Sequence, residues 1–375
     1  MSLKLKATRD STGNQRMGAA KKAKQDEFYT QLVDIENELK HYKTQLRGKS
    51  ILCNCDDPYE SNFFKYFALN FNALGLKRLI VTSYKKSPIV GGQLSLFEIE
   101  GLKPEGEEPY AIEINNVPDQ KRRGTTDITD VEYLLKHNAN TAWTLKGDGA
   151  YNGGDFRSRE CIELLKRADI VVTNPPFSLF RDFLFELVKH EKQFLIIGSL
   201  TAVHYKEIFK LIKDNKVWLG ESIHSGDREF RVPDHYPLQA AGVRVDDGGN
   251  KYIRVKGVRW FTNIDIKKSI RHEKIPLYKR YLPAEFPTYD NLDAIEVSKA
   301  SEIPCDYDGL IGVPDTFLDK YNPDQFEIIG IPFGNLGKEI GVKKNHRGRT
   351  DIAITKDGIS RCPYSRIIIK RKGTA

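Results

Sequence analysis

The feature that most constrains the fold is an alternation, between residues 50 and 219, of short apolar runs with amphipathic segments. The apolar runs have the composition of buried strands and occupy residues 50–55, 79–82, 169–173, 194–197 and 217–219. The amphipathic segments have apolar residues at helical spacing and occupy residues 26–45, 161–167, 179–190 and 205–213, with an aromatic-rich helix following the first strand. Strands that alternate with helices usually form a parallel sheet with helices on both faces. The sequence therefore predicts an α/β fold, whose ligands bind at the carboxyl ends of the strands.

Composition divides the chain into three regions. Residues 1–24 carry seven Lys or Arg residues and one acid, which predicts a mobile basic arm. The alternating pattern predicts one domain over residues 25–266, with an inserted hairpin at about 91–116 where Tyr110, Ile112 and Ile114 alternate with other residues. Residues 267–375 are rich in Pro, Gly and aromatic residues, and we expect them to form a smaller, loop-rich region.

The net charge of +8 favours a polyanionic partner. Basic residues are concentrated in the last third of the chain, at Lys267, Lys268, Arg271, His272, Lys274, Lys343, Lys344, His346, Arg347, Arg349, Arg366, Lys370, Arg371 and Lys372. We interpret this region as a surface that faces nucleic-acid phosphates.

Other classes of protein fit the sequence less well. The chain lacks both the apolar run of roughly 18 residues that spans a bilayer and a secretory signal, so a cytoplasmic protein is expected. Its five cysteines form neither a Cys-x-x-Cys pair nor an even disulfide framework. Reduced thiols and no metal site are therefore predicted.

The most informative motif is Asn174-Pro175-Pro176-Phe177, which lies between a predicted strand and a predicted helix. It resembles the catalytic motif of amino-methyltransferases. Two prolines stiffen the turn and remove backbone donors, which leaves carbonyl oxygens free to accept hydrogen bonds. The Asn174 side-chain oxygen and the Pro175 carbonyl can then each accept one hydrogen of an aromatic amine. This positioning turns the nitrogen lone pair toward an incoming methyl group.

Phe177 adds an aromatic face on which a nucleobase can stack. The amine of a paired base is unreachable inside a duplex, so such chemistry implies that the base is extruded. Stacking on an aromatic side chain contributes about 1–3 kcal/mol per base.

With these residues, the chain resembles the EcoRI-type adenine-specific DNA methyltransferases, the companions of restriction endonucleases. The resemblance covers most of residues 20–265 and is carried by Lys24-Gln25-Asp26-Glu27-Phe28-Tyr29-Thr30, Cys53-Asn54-Cys55-Asp56-Asp57-Pro58, Ser61-Asn62-Phe63, and Gly154-Asp155-Phe156-Arg157-Ser158. It implies a Rossmann-like methyltransferase sheet, S-adenosyl-L-methionine as cofactor, and double-stranded DNA as partner. It also implies methylation of adenine N6 within a restriction-modification system, by a protein expected to act as a monomer. Residues 267–375 would then be the DNA-recognition region.

The resemblance also implies which residues bind the cofactor. Phe28, Tyr29 and Thr30 would lie near its methionine end, and the turn from Cys53 through Asp56 and Asp57 would approach its methionine or ribose portion. Asp155 and Phe156 would border its adenine ring, with Asp155 accepting the amino hydrogens.

Two departures from the wider methyltransferase pattern affect this interpretation. The usual glycine-rich turn after the first strand is replaced by residues 53–58. The second strand ends in Ser83-Tyr84 and lacks the acidic residue that commonly binds ribose hydroxyls, so the sequence names no ribose ligand.

Several alternatives remain open from the sequence. Cytosine N4 methylation uses the same chemistry, although that class more often has Ser at the position of Asn174. Methylation of RNA or of a protein glutamine also uses Asn-Pro-Pro followed by an aromatic residue. Cytosine C5 methylation would need Cys305 as nucleophile, far from any supporting motif. A catalytically silent DNA-binding protein is the alternative from another class.

Overall fold

The computed structural model describes residues 30–55, 61–84, 108–118, 126–127, 129–131, 133, 142–224, 226–232 and 243–373. The predicted basic arm and most of the predicted inserted hairpin lie outside these residues. The chain divides into two compact units. The first unit comprises Met1–Ile35, Gly48–His190 and Glu229–Arg254, and the second unit comprises Glu36–Arg47, Glu191–Arg228 and Val255–Ala375.

The first unit contains five strands in the order β4-β3-β2-β1-β5. They are β1 (Ser50–Cys53), β2 (Arg78–Thr82), β3 (Tyr110–Ile114), β4 (Ala142–Thr144) and β5 (Ile170–Thr173). β1 pairs in parallel with both β2 and β5, as the alternating pattern predicts. β3 is antiparallel to β2 and to β4, so the prediction of a wholly parallel sheet is wrong here. An antiparallel strand needs no crossover helix, which is why the inserted segment can extend the sheet directly.

The helices among the described residues are short. They are α1 (Leu32–Leu39), α2 (Lys43–Leu46), α3 (Asn62–Leu69), α4 (Phe71–Leu74), α5 (Arg159–Arg167), α6 (Phe180–Lys189), α7 (Lys206–Lys213) and α8 (Gly334–Glu339). The helix predicted over 26–45 is interrupted between α1 and α2, although its apolar residues Ile35, Leu39 and Tyr42 are buried as expected. α3 begins at a capped residue, because the Ser61 hydroxyl accepts hydrogen bonds from the Phe63 and Phe64 amides at 3.0 and 3.3 Å.

The first unit also carries a small three-stranded sheet in the order β8-β10-β9. Its strands are β8 (Asp227–Val232), β9 (Val243–Val245) and β10 (Lys251–Lys256), and β9 and β10 are antiparallel. Its Phe230 is buried and contacts the predicted catalytic turn, as described below.

The second unit contains β6 (Gln193–Ser199), β7 (Trp218–Leu219) and β11 (Val258–Thr262). β11 lies between β6 and β7 and is antiparallel to both. β6 and β7 therefore run in the same direction, as the alternation predicts, but a strand from outside the alternation separates them. Arg259 of β11 is fully internal: its guanidinium binds both carboxylate oxygens of Asp319, at 2.6 and 2.8 Å. A buried arginine in a strand can therefore be neutralised by an internal ion pair and need not contact a ligand.

The C-terminal part of the second unit has its own sheet and is less loop-rich than predicted. The sheet order is β12-β13-β14-β18-β15, with β12 (Thr288–Tyr289), β13 (Leu292–Glu296), β14 (Leu310–Pro314), β15 (Phe326–Gly330) and β18 (Arg366–Arg371). A separate pair, β16 (Ile354–Lys356) and β17 (Ile359–Arg361), forms an antiparallel hairpin. Ile311, Val313 and Ile367–Ile369 supply a continuous apolar core to this sheet. Across the described chain, no helix is long and apolar enough to cross a membrane.

Candidate active site

The predicted catalytic motif lies at the carboxyl end of β5. Asn174, Pro175 and Pro176 are buried, and Phe177 is half-buried. A short 3₁₀ turn over Phe177–Leu179 leads directly into α6, with the Pro176 carbonyl accepting a hydrogen bond from the Leu179 amide at 2.9 Å. The motif therefore has the strand before it and the helix after it that the sequence predicted.

The ends of β1 and β2 lie at the same edge of the sheet as this turn. Parallel pairing sets Cys53 beside Val81, which brings Asn54 and Thr82 next to each other in register. β5 is linked to this edge as well, because the Thr173 hydroxyl donates a hydrogen bond to the Asn54 carbonyl. Three neighbouring strand ends thus converge on one place.

Three buried oxygens in this unit have no hydrogen-bond partner among the described residues: Asn54 Oδ1, Thr82 Oγ1 and Thr30 Oγ1. Leaving a buried polar group unsatisfied costs about 1–3 kcal/mol, so these oxygens favour a polar ligand nearby. Thr30 is linked to the start of α3, because Asn62 Nδ2 donates a hydrogen bond to the Thr30 carbonyl at 2.7 Å. Asn54, Asn62 and Thr82 were given no role by sequence reasoning, although Asn54 and Asn62 lie within the quoted motifs.

The loop that contains Asp155 packs against the end of β2. A Cβ atom added to Gly154 would lie 2.0 Å from the Ser83 carbonyl oxygen, so only glycine permits this approach. Gly154 also has φ of +75°, the left-handed region that glycine adopts most easily. The loop therefore brings Asp155 to the strand end at which the expected acidic residue is missing.

Asp155 is buried and already has a cationic partner. Arg157 donates to its carboxylate from the backbone amide at 3.0 Å, and from Nε and Nη2 at 2.9 Å each. This pairing raises the pKa of the Arg157 guanidinium, and that guanidinium also lies over the rings of Tyr151 and Phe156 at 4.7 and 5.1 Å. A carboxylate offers about four acceptor sites, so one remains for a ligand amine. Arg157 is a functional candidate whose role sequence reasoning missed.

Two aromatic contacts fix the surroundings of the turn. Phe156 is buried and meets Phe183 of α6 edge to face, with ring centroids 5.0 Å apart. Phe177 meets Phe230 of β8 in the same manner at 6.5 Å. Phe230 has no motif around it in the sequence, so only the structure identifies it as a support for Phe177.

Not every predicted site residue can be located. Phe28, Tyr29, Asp56 and Asp57 lie outside the described residues, and Cys53 is a fully buried residue of β1. Within the described ranges no cluster of three metal-ligating side chains occurs.

Comparison with known proteins decides the family. The family model of the adenine-specific methyltransferase EcoRI matches residues 16–372. Type II methyltransferase M.EcoRI of Escherichia coli is 43% identical over 361 residues, which cover 96% of this chain and 97% of the relative. Type II methyltransferases M.MpnI of Mycoplasma pneumoniae and M.MgeORF184P of Mycoplasma genitalium are 36% and 35% identical, each covering 94% of this chain and 97% and 98% of the relative. No solved structure matches the chain.

The chain belongs to the EcoRI family of adenine-specific methyltransferases.

Membership in this family resolves the choice between the alternatives. The enzyme is an adenine-specific DNA methyltransferase of the Type II class, so the cytosine, RNA, protein and non-enzymatic readings are set aside. Burial raises the pKa of the Cys161 thiol to about 11, so this thiol stays protonated at neutral pH.

The Gly154 contact predicts a difference between two glycine substitutions. Gly149→Ala places a side chain in the left-handed region at φ of +80° with nothing within 4 Å. It should lower the free energy of unfolding by about 1–2 kcal/mol. Gly154→Ala has the same conformational strain and also meets the Ser83 carbonyl, so it should lose roughly 1–3 kcal/mol more. Urea unfolding of both variants measures the difference, and equal losses would show that the loop does not pack closely on β2.

Proposed function

We propose that this methyltransferase transfers the methyl group of S-adenosyl-L-methionine to the N6 amine of an adenine that has been flipped out of duplex DNA. The observation that carries the proposal is the position of the Asn174-Pro175-Pro176-Phe177 turn, at the carboxyl end of β5 beside the converging ends of β1 and β2. The fold of the first unit would then be of the Rossmann-like methyltransferase type. When bound, the cofactor supplies an electrophilic methyl group on a sulfonium centre.

Asn174 and Pro175 act on the amine. The lone pair of an adenine amine is delocalised into the ring, so the nitrogen is a poor nucleophile in its planar form. Two acceptors placed outside the ring plane, the Asn174 side-chain oxygen and the Pro175 carbonyl, draw the two hydrogens away from planarity. The lone pair is then directed at the methyl group. Because both acceptors lie on a proline-stiffened turn, little reorganisation is needed during the reaction.

Phe177 holds the target base. Its ring is half-buried, which leaves a face for stacking, and Phe230 supports it from the edge. Extrusion of the base is required because the amine is engaged in pairing inside the duplex. Pro176 fixes the direction in which the chain leaves the turn, since its carbonyl begins the 3₁₀ turn that carries Phe177.

The residues around the strand ends fit the cofactor. The three unpartnered oxygens of Thr30, Asn54 and Thr82 can bind its polar groups, and Asp155 has acceptor capacity left for its adenine amine. We assign Thr82, at the end of β2, the role that an acidic residue usually has toward the ribose. Phe28, Tyr29, Cys53, Asp56, Asp57 and Phe156 are proposed as further cofactor contacts from the family resemblance.

The biological setting is proposed from the relatives. Three relatives are named as Type II methyltransferases, which favours a modification enzyme that protects duplex DNA from a partner endonuclease. We further propose that residues 25–266 form the catalytic domain, that residues 267–375 form the DNA-recognition region, and that the enzyme acts as a monomer.

Asn174→Ala tests the catalytic assignment. Loss of one amine acceptor should lower kcat by roughly 10²- to 10³-fold, with cofactor affinity and the free energy of unfolding little changed. Asn174→Asp keeps an acceptor oxygen and should retain more activity than the alanine variant. Turnover of labelled DNA and calorimetric cofactor binding measure the two quantities. An alanine variant as active as the wild type would refute the assignment.

Thr82→Val tests the cofactor assignment, because it replaces the hydroxyl with a methyl group and leaves the shape of the side chain nearly unchanged. If the Thr82 hydroxyl binds the cofactor, its loss should weaken cofactor affinity about tenfold while leaving the free protein equally or more stable. Thr262→Val is the matched control, because Thr262 is equally buried but bonds internally to the Phe194 carbonyl and the Ile264 amide at 2.7 and 3.0 Å. The control should lose stability and keep its cofactor affinity. Unchanged cofactor binding in Thr82→Val would contradict the assignment.

A further inference from the structure

The hairpin of β16 and β17 is a compact two-stranded ribbon. Its residues pair as Ile354 with Arg361, Thr355 with Ser360, and Lys356 with Ile359. The connecting residues Asp357 and Gly358 both have positive φ, +54° and +74°, which is typical of the tight type I′ turn. Among the described strands, these two pair only with each other.

The base of this ribbon is anchored and its tip is exposed. Asp290 accepts hydrogen bonds from the Thr355 amide and hydroxyl, at 3.1 and 2.7 Å. Lys356 and Ile359 pair next to the turn, and Arg361 lies opposite Ile354, nearer the base. Lys356 and Arg361 are exposed, and Ile359 has 57% of its surface exposed. Because side chains alternate between the faces of a hairpin, these three residues lie on one face. This face of the ribbon thus presents one large apolar side chain, Ile359, between two cations.

A rigid basic loop lies beside the ribbon. The Asn345 side-chain oxygen accepts hydrogen bonds from the Arg347 and Arg349 amides at 2.9 and 3.2 Å, and the Asn345 amide donates to the Arg349 carbonyl at 2.8 Å. The His346 ring then joins this loop to the ribbon through Ser360 at 2.9 Å. The loop and the ribbon are therefore one ordered element.

The basic side chains of the loop and the ribbon form no ion pairs with other described residues. Residues 343–361 contain six Lys or Arg residues against two acids. All six are exposed, and none forms an ion pair with another described residue: Lys343, Lys344, Arg347, Arg349, Lys356 and Arg361.

Three basic residues of the C-terminal third contact other side chains of the unit, which corrects their interpretation as phosphate contacts. Arg271 is buried and stacks on Trp218 at 3.7 Å. His272 contacts Asp265 at 2.8 Å, and Arg366 binds Glu296 at 2.6 Å. Lysines are also exposed at Lys267, Lys268, Lys274, Lys370 and Lys372, but the loop and the ribbon carry six exposed Lys or Arg residues on one hydrogen-bonded element.

We infer that the β16–β17 ribbon enters the major groove of duplex DNA and that the residue 343–349 loop binds the adjoining phosphates. The inference rests on the proposed function as a DNA methyltransferase. The major groove of B-form DNA admits a two-stranded ribbon, and there Arg and Lys bind guanine edges while apolar side chains contact the thymine methyl group. The major groove of A-form RNA is too deep and narrow for such an element, so duplex DNA is the occupant.

Three variants of the full chain separate the two contributions. Arg347→Ala/Arg349→Ala removes phosphate contacts, and should weaken binding to every duplex and lower the slope of log affinity against log salt by about 2. Arg361→Ala and Ile359→Ser change the reading face. Each should weaken binding to a duplex that the wild type methylates by roughly 5- to 100-fold, and weaken binding to a scrambled duplex much less. Lys216→Ala/Lys320→Ala is the control, since both lysines are exposed and form no ion pair with a described residue.

Fluorescence anisotropy with the two DNA duplexes, and with a duplex RNA competitor, measures these effects. The inference is overturned if the wild type methylates DNA but all three variants bind like the lysine control. It is also overturned if duplex RNA competes equally for the wild type and loses affinity in the same variants. A wild type that neither binds nor methylates DNA would instead overturn the proposed function together with this inference.

Discussion

The parallel pairing of β1 with β2 on one side and β5 on the other is the constraint on which the rest of the site depends. Parallel strands place their carboxyl ends at one edge, so residues that are far apart in the chain, Asn54, Thr82 and Asn174, become neighbours. The Thr173 hydroxyl reinforces this arrangement by bonding to the Asn54 carbonyl across the strands. Without that shared edge, the proline turn would not lie beside Asn54 and Thr82.

The site combines a stiff proline turn with buried oxygens that lack hydrogen-bond partners among the described residues. Each feature suits a different task. The turn at Asn174 is fixed by two prolines and by the helix that follows, which suits a group that must hold an amine in one geometry. The oxygens of Thr30, Asn54 and Thr82 lack partners among the described residues, at a cost to the stability of the free protein. A ligand that satisfies them stabilises the folded state as it binds.

Sequence patterns predicted the parts of the fold that depend on local burial. The strands β1, β2 and β5, the helices α5 and α6, and the context of Asn174 all occur where the alternation placed them. Pairing partners were harder to predict, because apolar periodicity shows which face of a strand is buried but not which strand lies beside it. The antiparallel β3 and β11 follow from tertiary contacts of that kind. Basic clusters in the sequence had the same weakness: Arg271 is internal, and only the structure shows that it stacks on Trp218.

We propose that this edge of the sheet directs a methyl group to an adenine amine in DNA. The most direct test incubates the purified enzyme with duplex DNA and a cofactor that carries a deuterated methyl group, digests the DNA to nucleosides, and determines their masses and fragmentation. We expect a deuterated methyl group on the N6 atom of deoxyadenosine alone. Label on cytosine, on a ring nitrogen of adenine, or on the protein with none on DNA would contradict it.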